Sequence, residues 1–309
     1  MDPNGRKRRR RGQPVHGWVV LDKPLTLGST GAVAAVRRLM DAQKAGHAGT
    51  LDPLATGVLP IALGEASKTV PFLMSAPKGY DFELHWGEHR ETLDAEGEVA
   101  ARSDVRPGTD DIEAVLPRFV GQIAQIPPRY SAIKIDGKRA YDLARAGHAV
   151  EMKTRTVRID GLTLVGADAH TARFHVDCGK GTYVRSLARD IADALGALAY
   201  VSTLRRTRVG PFDLAQSFTL DELEAMDYGA RVSAGLLSLS TALDDIPVLA
   251  VNEQQAALLR QGRTIPGSPD LSHDPTSSED LVLIECDGVP VCLSQPRAEG
   301  LSPKRVFNL

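Results

Sequence analysis

Strict alternation marks the stretch YDFELHW: Tyr80, Phe82, Leu84 and Trp86 share one face and Asp81, Glu83 and His85 the other, the pattern of a half-buried strand. HGWVVLDKP, ended by Asp22, Lys23 and Pro24, and VLPIALG both predict short buried strands. TRTVRIDGLTLVG and ARFHVDC add further strands, and YVRSLARDIADALG a long helix. STGAVAAVRRLMDA predicts a helix with Ser29 or Thr30 as its N-cap and one apolar stripe through Val33, Val36 and Leu39 or Met40. EASKTVPFLM and DDIEAVLPRFVG predict two more helices. QIPPRYSAIKIDGKRAYDLARAG combines a Pro-rich entry with a hairpin and a helix. GHAGTLDPLATGVL, from Gly46 to Leu59, is expected as a loop because its glycines and Pro53 interrupt regular structure. The mixed order of strands and helices gives an α+β fold.

The chain changes character at about Pro247. A short helix, NEQQAALLRQG, precedes a Pro/Ser/Asp-rich loop from Gly267 to Glu279, and two strands joined at Asp287-Gly288 predict a small β-rich appendage. No repeat with a period of about 20 to 50 residues is visible. With 309 residues and 42% apolar content, the chain accommodates a main domain of about 200 residues or more and a smaller one. No segment approaches the roughly 18 apolar residues that cross a bilayer, and the N-terminus carries no apolar core of a signal peptide, so a cytoplasmic protein without membrane contact is expected. Cys178, Cys286 and Cys292 are too few and too scattered for a disulfide framework or a C-x-x-C metal site, and are read as reduced thiols.

Charge adds a partner class. RKRRRR, Arg6 to Arg11, lies in a segment too polar to pack, and residues 1–12 are read as a basic disordered tail. From Arg129 to Gly210 there are 15 Lys or Arg against 8 Asp or Glu, whereas from Asp244 to Leu309 the ratio reverses to 5 against 10. The middle of the chain is therefore suited to a polyanion, although such a run also fits a plain solvated face.

Several familiar chemistries fail on spacing. HWGEH, His85 to His89, matches H-x-x-E-H, but zinc binding by that pattern needs both histidines on one helix face, and His85 belongs to an alternating strand. Gly179-Lys180 has Phe174 where a Walker loop requires its first glycine, and Val184 stands at the third glycine of G-x-G-x-x-G. No metal, ATP or NAD site is indicated, and no cofactor is expected. Asp52 remains, a single carboxylate among glycines and small residues. It reads either as an Asp-Pro turn residue capping its own backbone or as a nucleophile that attacks an anomeric carbon or an activated ring, with glycines admitting close approach of a substrate.

GHAGTLDPLATGVLPIALGEASK resembles the central motif of the bacterial TruB family of tRNA pseudouridine synthases. LDKP at Leu21, KGY at Lys78, QIPPRYSAIKIDGKRAYDLAR from Gln125, KGTYVRSLARDI from Lys180 and LRR at Leu204 extend the resemblance over about Gly17 to Phe212. LLRQGRTI through GLSPKRVFNL resembles a diverged PUA-type RNA-binding module. The resemblance implies a pseudouridine synthase fold: a mixed, mainly antiparallel central sheet flanked by helices, with a catalytic domain over residues 13–243 and a PUA-like domain over 244–309. It implies Asp52 as nucleophile, Tyr80 as the ring stacking on the target base, Tyr183 as the tyrosine packing under the flipped nucleotide and acting as a base, and Arg185 as the partner of the catalytic carboxylate. It also implies Leu204 as an apolar pocket wall, His47 as the histidine filling the space the flipped base vacates, and Lys23 near the pocket.

One stretch departs from the family pattern. Where G-x-x-T-D-T-x-D-x-x-G is common, this chain reads GEHRETLDAEG, keeping Asp94 and Gly97 but placing Arg90 and Glu91 where Thr and Asp are usual. The implied activity is conversion of uridine 55 in the T loop of tRNA to pseudouridine by a monomer whose partner is the tRNA T arm. That reaction needs a base drawn out of its stack and one acid, with no redox, phosphoryl-transfer or metal-bound water step. A noncatalytic RNA-binding or RNA-folding protein on the same scaffold is the alternative. Asp52 together with Tyr80 and Tyr183 favours the enzyme.

Overall fold

The computed structural model describes residues 12–131, 133–135, 137–146, 148, 150–266 and 281–309. The expected basic tail, apart from Gly12, and the loop expected over Gly267–Glu279 lie outside the described residues. In chain order the first half contains β1 (Gly17–Lys23), α1 (Ser29–Leu39), β2 (Ala45–His47), β3 (Ala55–Leu63), α2 (Val70–Ser75), β4 (Lys78–Trp86), β5 (Glu88–Arg90), β6 (Val99–Arg102), α3 (Thr109–Val115) and β7 (Gly121–Gln125). A two-residue hairpin pair follows, β8 (Lys134–Ile135) and β9 (Lys138–Arg139), then α4 (Ala140–Arg145), β10 (Arg155–Ala167), β11 (Thr171–Cys178), α5 (Val184–Ala194), β12 (Ala199–Val209) and β13 (Phe212–Asp213). The remainder is α6 (Leu220–Ala225), α7 (Tyr228–Gly235), β14 (Val248–Ala250), α8 (Glu253–Arg260), β15 (Val282–Cys286), β16 (Val289–Arg297) and β17 (Gly300–Val306).

The central sheet runs β1-β3-β12-β4-β11-β10-β7, with β2 on β3 and β13 on β12. β12 is parallel to β3, and every other pairing in it is antiparallel. The fold is therefore α+β with a mixed, mainly antiparallel sheet. β14 to β17 form a separate four-stranded sheet accompanied by α8.

Burial explains the sequence patterns. Val19 and Leu21 of β1 enter the core beneath α1 and α5, while Trp18 and Val20 enter a second core with Leu73 and Phe212, so this strand is apolar on both faces. Leu283, Leu293 and Phe307 of the C-terminal sheet belong to that second core, and Lys68 Nζ donates to the Val306 carbonyl at 2.7 Å. Tyr80, Phe82, Leu84 and Trp86 are all buried, as their alternation requires.

Three expectations change. The helix read over EASKTVPFLM divides into a 3₁₀ turn, Gly64–Lys68, and α2, whose start accommodates Pro71 because the first turn needs no backbone donor there. The Gly46–Leu59 loop shrinks, because Gly46 and His47 pair in β2 and Ala55 onward pairs in β3. The cap of α1 is Gly28, not Ser29 or Thr30, since the Ser29 hydroxyl is engaged elsewhere. β12 was absent from the sequence reading. Register shifts at Val201/Thr203 and Arg206/Arg208 disrupt the alternation that would have revealed it.

Candidate active site

The segment carrying Asp52 is suspended between two structural anchors. Ser29 Oγ donates to the Leu51 carbonyl at 2.9 Å and accepts from the Leu51 amide at 2.9 Å, so the first residue of α1 holds the residue before Asp52. The Ala55 amide then donates to the Asp52 carbonyl at 3.0 Å, closing a turn over Pro53. Gly49 and Gly57 have φ of +97° and +98°, the left-handed region that glycine enters without a Cβ penalty. At Gly57 a Cβ would also collide with the Arg206 carbonyl. The Asp-Pro turn exists, but the carboxylate does not make it. Among the described residues the Asp52 side chain meets Arg185 and no backbone N–H.

Arg185 is the second residue of α5 and is 5% exposed. Its guanidinium lies 2.7 Å from Asp52 Oδ2 and 3.2 Å from Asp94 Oδ2, and it donates to the carbonyls of Thr92 at 2.8 Å and Tyr130 at 3.0 Å. The Asp52 side chain remains 39% exposed, whereas Asp94 is 10% exposed. One carboxylate is thus open to a ligand and the other is enclosed. The departure at Arg90 and Glu91 leaves this arrangement standing. Arg90 pairs with Glu88 at 2.9 Å and lies 4.4 Å above the Tyr200 ring, while Glu91 lines a separate cavity of about 810 Å³ with His89, Tyr130 and Arg189.

Tyr183 is positioned through its backbone. Its amide donates to Gln125 Oε1 at 2.8 Å and its carbonyl accepts from Gln125 Nε2 at 3.2 Å, a side-chain imitation of a β-ladder step. The Arg155 guanidinium lies 4.8 Å from the centre of its ring and donates to the Gly181 carbonyl. Tyr80, on β4, is buried, and that burial holds its phenol above the usual tyrosine range.

Asp52, Tyr80, Tyr183 and Arg185 all line one cleft of about 430 Å³, together with Gly49, Thr50, Met74, Lys78, Arg155 and Arg206. Among the described residues Asp52 is the only acid on its walls. The other three expected residues stand outside it. Leu204 lines a neighbouring cavity of about 510 Å³ with Leu25, Leu54 and Phe82. His47 lies on β2, with its basicity lowered by burial and then by Arg206, and its buried Nδ1 has no hydrogen-bond partner among the described residues. Lys23 is fully buried and donates to the carbonyls of Leu27 at 2.7 Å, Pro24 at 2.9 Å and Pro53 at 3.3 Å, bracing the Asp52 turn from beneath.

Lys78, Arg155, Arg206 and Gln125 were missing from the sequence reading of the site. KGY and LRR flagged two of these segments, yet nothing in spacing marks a buried cation, because Lys and Arg default to solvent. The histidines of HWGEH fall on two different strands, β4 and β5, and not on one helix.

Burial pulls both Lys23 and Lys78 down from 10.5 to about 8. For each, the folded protein releases its proton near pH 8 while the unfolded chain keeps it to about 10.5, so the unfolded state binds more protons between those values. The lysine contribution to stability therefore rises with pH across that window. Lys23→Met should flatten this rise in urea-unfolding midpoints measured between pH 7 and about 10. An unchanged pH slope would assign Lys23 an ordinary basicity.

Comparison with known proteins supplies the lineage. A family model described as TruB family pseudouridylate synthase (N terminal domain) matches residues 37–184, and one described as tRNA pseudouridylate synthase B C-terminal domain matches 185–244. A relative named tRNA pseudouridine synthase B from Caulobacter sp. (strain K31) is 53% identical, covering 98% of this chain and 99% of that protein. A relative of the same name from Bradyrhizobium diazoefficiens is 51% identical over 99% of this chain and 89% of its own. Among solved structures, an archaeal box H/ACA sRNP contains a chain with TM-score 0.71 and 25% identity, covering 99% of this chain and 94% of that one. An H/ACA RNP bound to a substrate RNA containing 2′-deoxyuridine gives TM-score 0.70 at 23% identity, covering 100% of this chain and 93% of that one, a likeness of fold.

Proposed function

Because this chain belongs to the TruB family of pseudouridylate synthases, and is thereby an isomerase that pseudouridylates tRNA, we propose that it converts uridine 55 of the T loop, with Asp52 as nucleophile. The observation that carries this reading is the cleft's single carboxylate, open on one side and ion-paired on the other to a buried arginine. Pseudouridine formation breaks the N1–C1′ bond, turns the uracil and rejoins it through C5. The C5 proton is lost and N1 acquires one, so the reaction is redox-neutral. A carboxylate that bonds to C1′ or to the ring keeps one fragment covalently on the protein while the base turns, the cleft holds the other, and the carboxylate bond breaks once C5 has joined C1′.

We assign the further roles as the family resemblance implies them, with placement in support where the cleft supplies it. Tyr80 and Tyr183 provide aromatic surfaces for a uracil withdrawn from its stack. Arg185 pairs with Asp52 at 2.7 Å and fixes the position of its carboxylate, and the phenolic oxygen of Tyr183 is the base. Outside the cleft, Leu204 supplies apolar surface in the neighbouring cavity, and His47 is the residue that takes up the space a flipped base leaves in the RNA. Lys23 supports the turn. The basic middle segment suits the phosphates of a folded RNA arm recognised by shape.

We read 13–243 as the catalytic domain and 244–309, with its four-stranded sheet and α8, as a PUA-type RNA-binding module. The working protein is a cytoplasmic monomer with the tRNA T arm as partner. No described helix is long and apolar enough to cross a membrane. An unmodified full-length tRNA transcript incubated with the protein and mapped by pseudouridine-selective chemical labelling should carry the modification at position 55. Modification at other uridines with 55 untouched would overturn the site assignment.

Activity should also survive EDTA and the His85→Ala substitution, because among the described residues the cleft walls carry no His or Cys and only one acid, short of a metal's usual three protein ligands. A loss on chelation that zinc alone restored would contradict this mechanism.

A further inference from the structure

Arg206 is 1% exposed, and among the described residues no carboxylate lies within ion-pair distance of it. A buried guanidinium without a counter-charge is costly, so its hydrogen bonds must compensate. They converge on one segment. Nε donates to the Val58 carbonyl at 2.7 Å, Nη2 to the Gly49 carbonyl at 3.1 Å and Nη1 points at the Thr50 carbonyl at 3.5 Å. Gly49 and Thr50 precede Asp52, and Val58 follows it. One planar fork therefore spans both ends of the loop that carries the carboxylate.

The backbone repeats the coupling. Arg206 stands opposite Gly57 in the parallel β3–β12 pairing and opposite Tyr80 in the antiparallel β4–β12 pairing. Gly57 admits the close approach of the two chains because it has no Cβ. The guanidinium also faces the Tyr80 phenol and lines the cleft.

We propose that Arg206 is the positioning residue of the Asp52 loop, fixing where the carboxylate stands relative to Arg185 and thereby setting the rate of the chemical step. The three carbonyls point at different atoms of a rigid fork, a geometry that the single ammonium of lysine cannot reproduce. A packing role alone would be served better by an apolar residue. The proposal rests on the reading of Asp52 as the nucleophile, and its test has an arm independent of that reading.

Arg206→Lys and Arg206→Gln are compared with the wild type in three measurements: single-turnover rate and Kd on an unmodified T-arm RNA, amide hydrogen exchange over residues 49–58 and 78–86, and the NMR titration of His47. Arg206→Lys should lose about 10²-fold in rate, the cost of roughly 1 Å of misplacement at a reacting centre, with Kd changed less than about 3-fold, since the guanidinium is buried and committed to backbone carbonyls. Exchange should rise over 49–58 and not over 78–86. The His47 midpoint should stay in place in Arg206→Lys and rise in Arg206→Gln, because only the latter removes the positive charge that depresses it.

A wild-type rate in Arg206→Lys, a parallel loss of rate and affinity, or exchange rising throughout the chain would overturn the proposal. If Arg206→Gln fails to fold, Arg206→Lys carries the test because it keeps the charge. If Arg206→Lys also fails to fold, Arg206 is a core residue and the proposal is wrong. A wild type that makes no product while exchange still responds over 49–58 would instead defeat the enzymatic reading.

Discussion

Asp52→Asn should leave no detectable pseudouridine while fold and RNA affinity remain close to wild type. Asparagine keeps the size of aspartate, but a neutral amide is not a nucleophile for a sugar or a uracil ring, and loss of a nucleophile costs on the order of 10⁴-fold or more. The structure explains why the protein should tolerate the change. Removing one partner of a buried pair is damaging when it strands the other charge. Here Arg185 retains Asp94 at 3.2 Å and the carbonyls of Thr92 and Tyr130. The turn itself is closed by the Asp52 carbonyl, which asparagine keeps. More than a few per cent of the wild-type single-turnover rate would rule out Asp52 as the nucleophile. Unfolding would show that the carboxylate serves the turn after all.

Tyr183→Phe separates the ring of this residue from its oxygen. The ring packs under the Arg155 guanidinium, and the backbone is held by Gln125, neither of which requires the phenol. Among the described residues the hydroxyl has no hydrogen-bond partner, so its removal leaves no buried group unsatisfied and Tm should change little. If the oxygen accepts a proton during the reaction, the rate should fall by about 10²–10⁴-fold at nearly constant Kd. A destabilised variant that isomerises at the wild-type rate would remove the catalytic role.

Where one physical rule governed a segment, the sequence was readable. β4 could be placed from Tyr80, Phe82, Leu84 and Trp86 because one face is core and the other is not. α5 followed from YVRSLARDIADALG, and the C-terminal hairpin from Asp287-Gly288. Motif resemblance brought four residues to one cleft. What escaped was governed by two demands at once. β12 carries Arg206 in a buried position and two register shifts, so its pattern follows neither an exposed nor an apolar strand. Ser29 looked like a cap and instead binds Leu51, a contact between segments 22 residues apart that local preference does not contain. Lys78, Gln125 and Arg155 serve the site through carbonyls at the end of α2, the backbone of a residue 58 positions away and a ring face, none of which leaves a spacing signature.

Pseudouridine formation in a minimal unmodified T-arm hairpin by the purified wild-type chain, with EDTA present and no added cofactor, tests the central claim most directly. The proposed function predicts conversion of the single T-loop uridine corresponding to position 55, approaching one product per hairpin. Tight binding of the hairpin with no pseudouridine after many half-lives of the complex would contradict it, and would make the chain an RNA-binding protein on an isomerase scaffold.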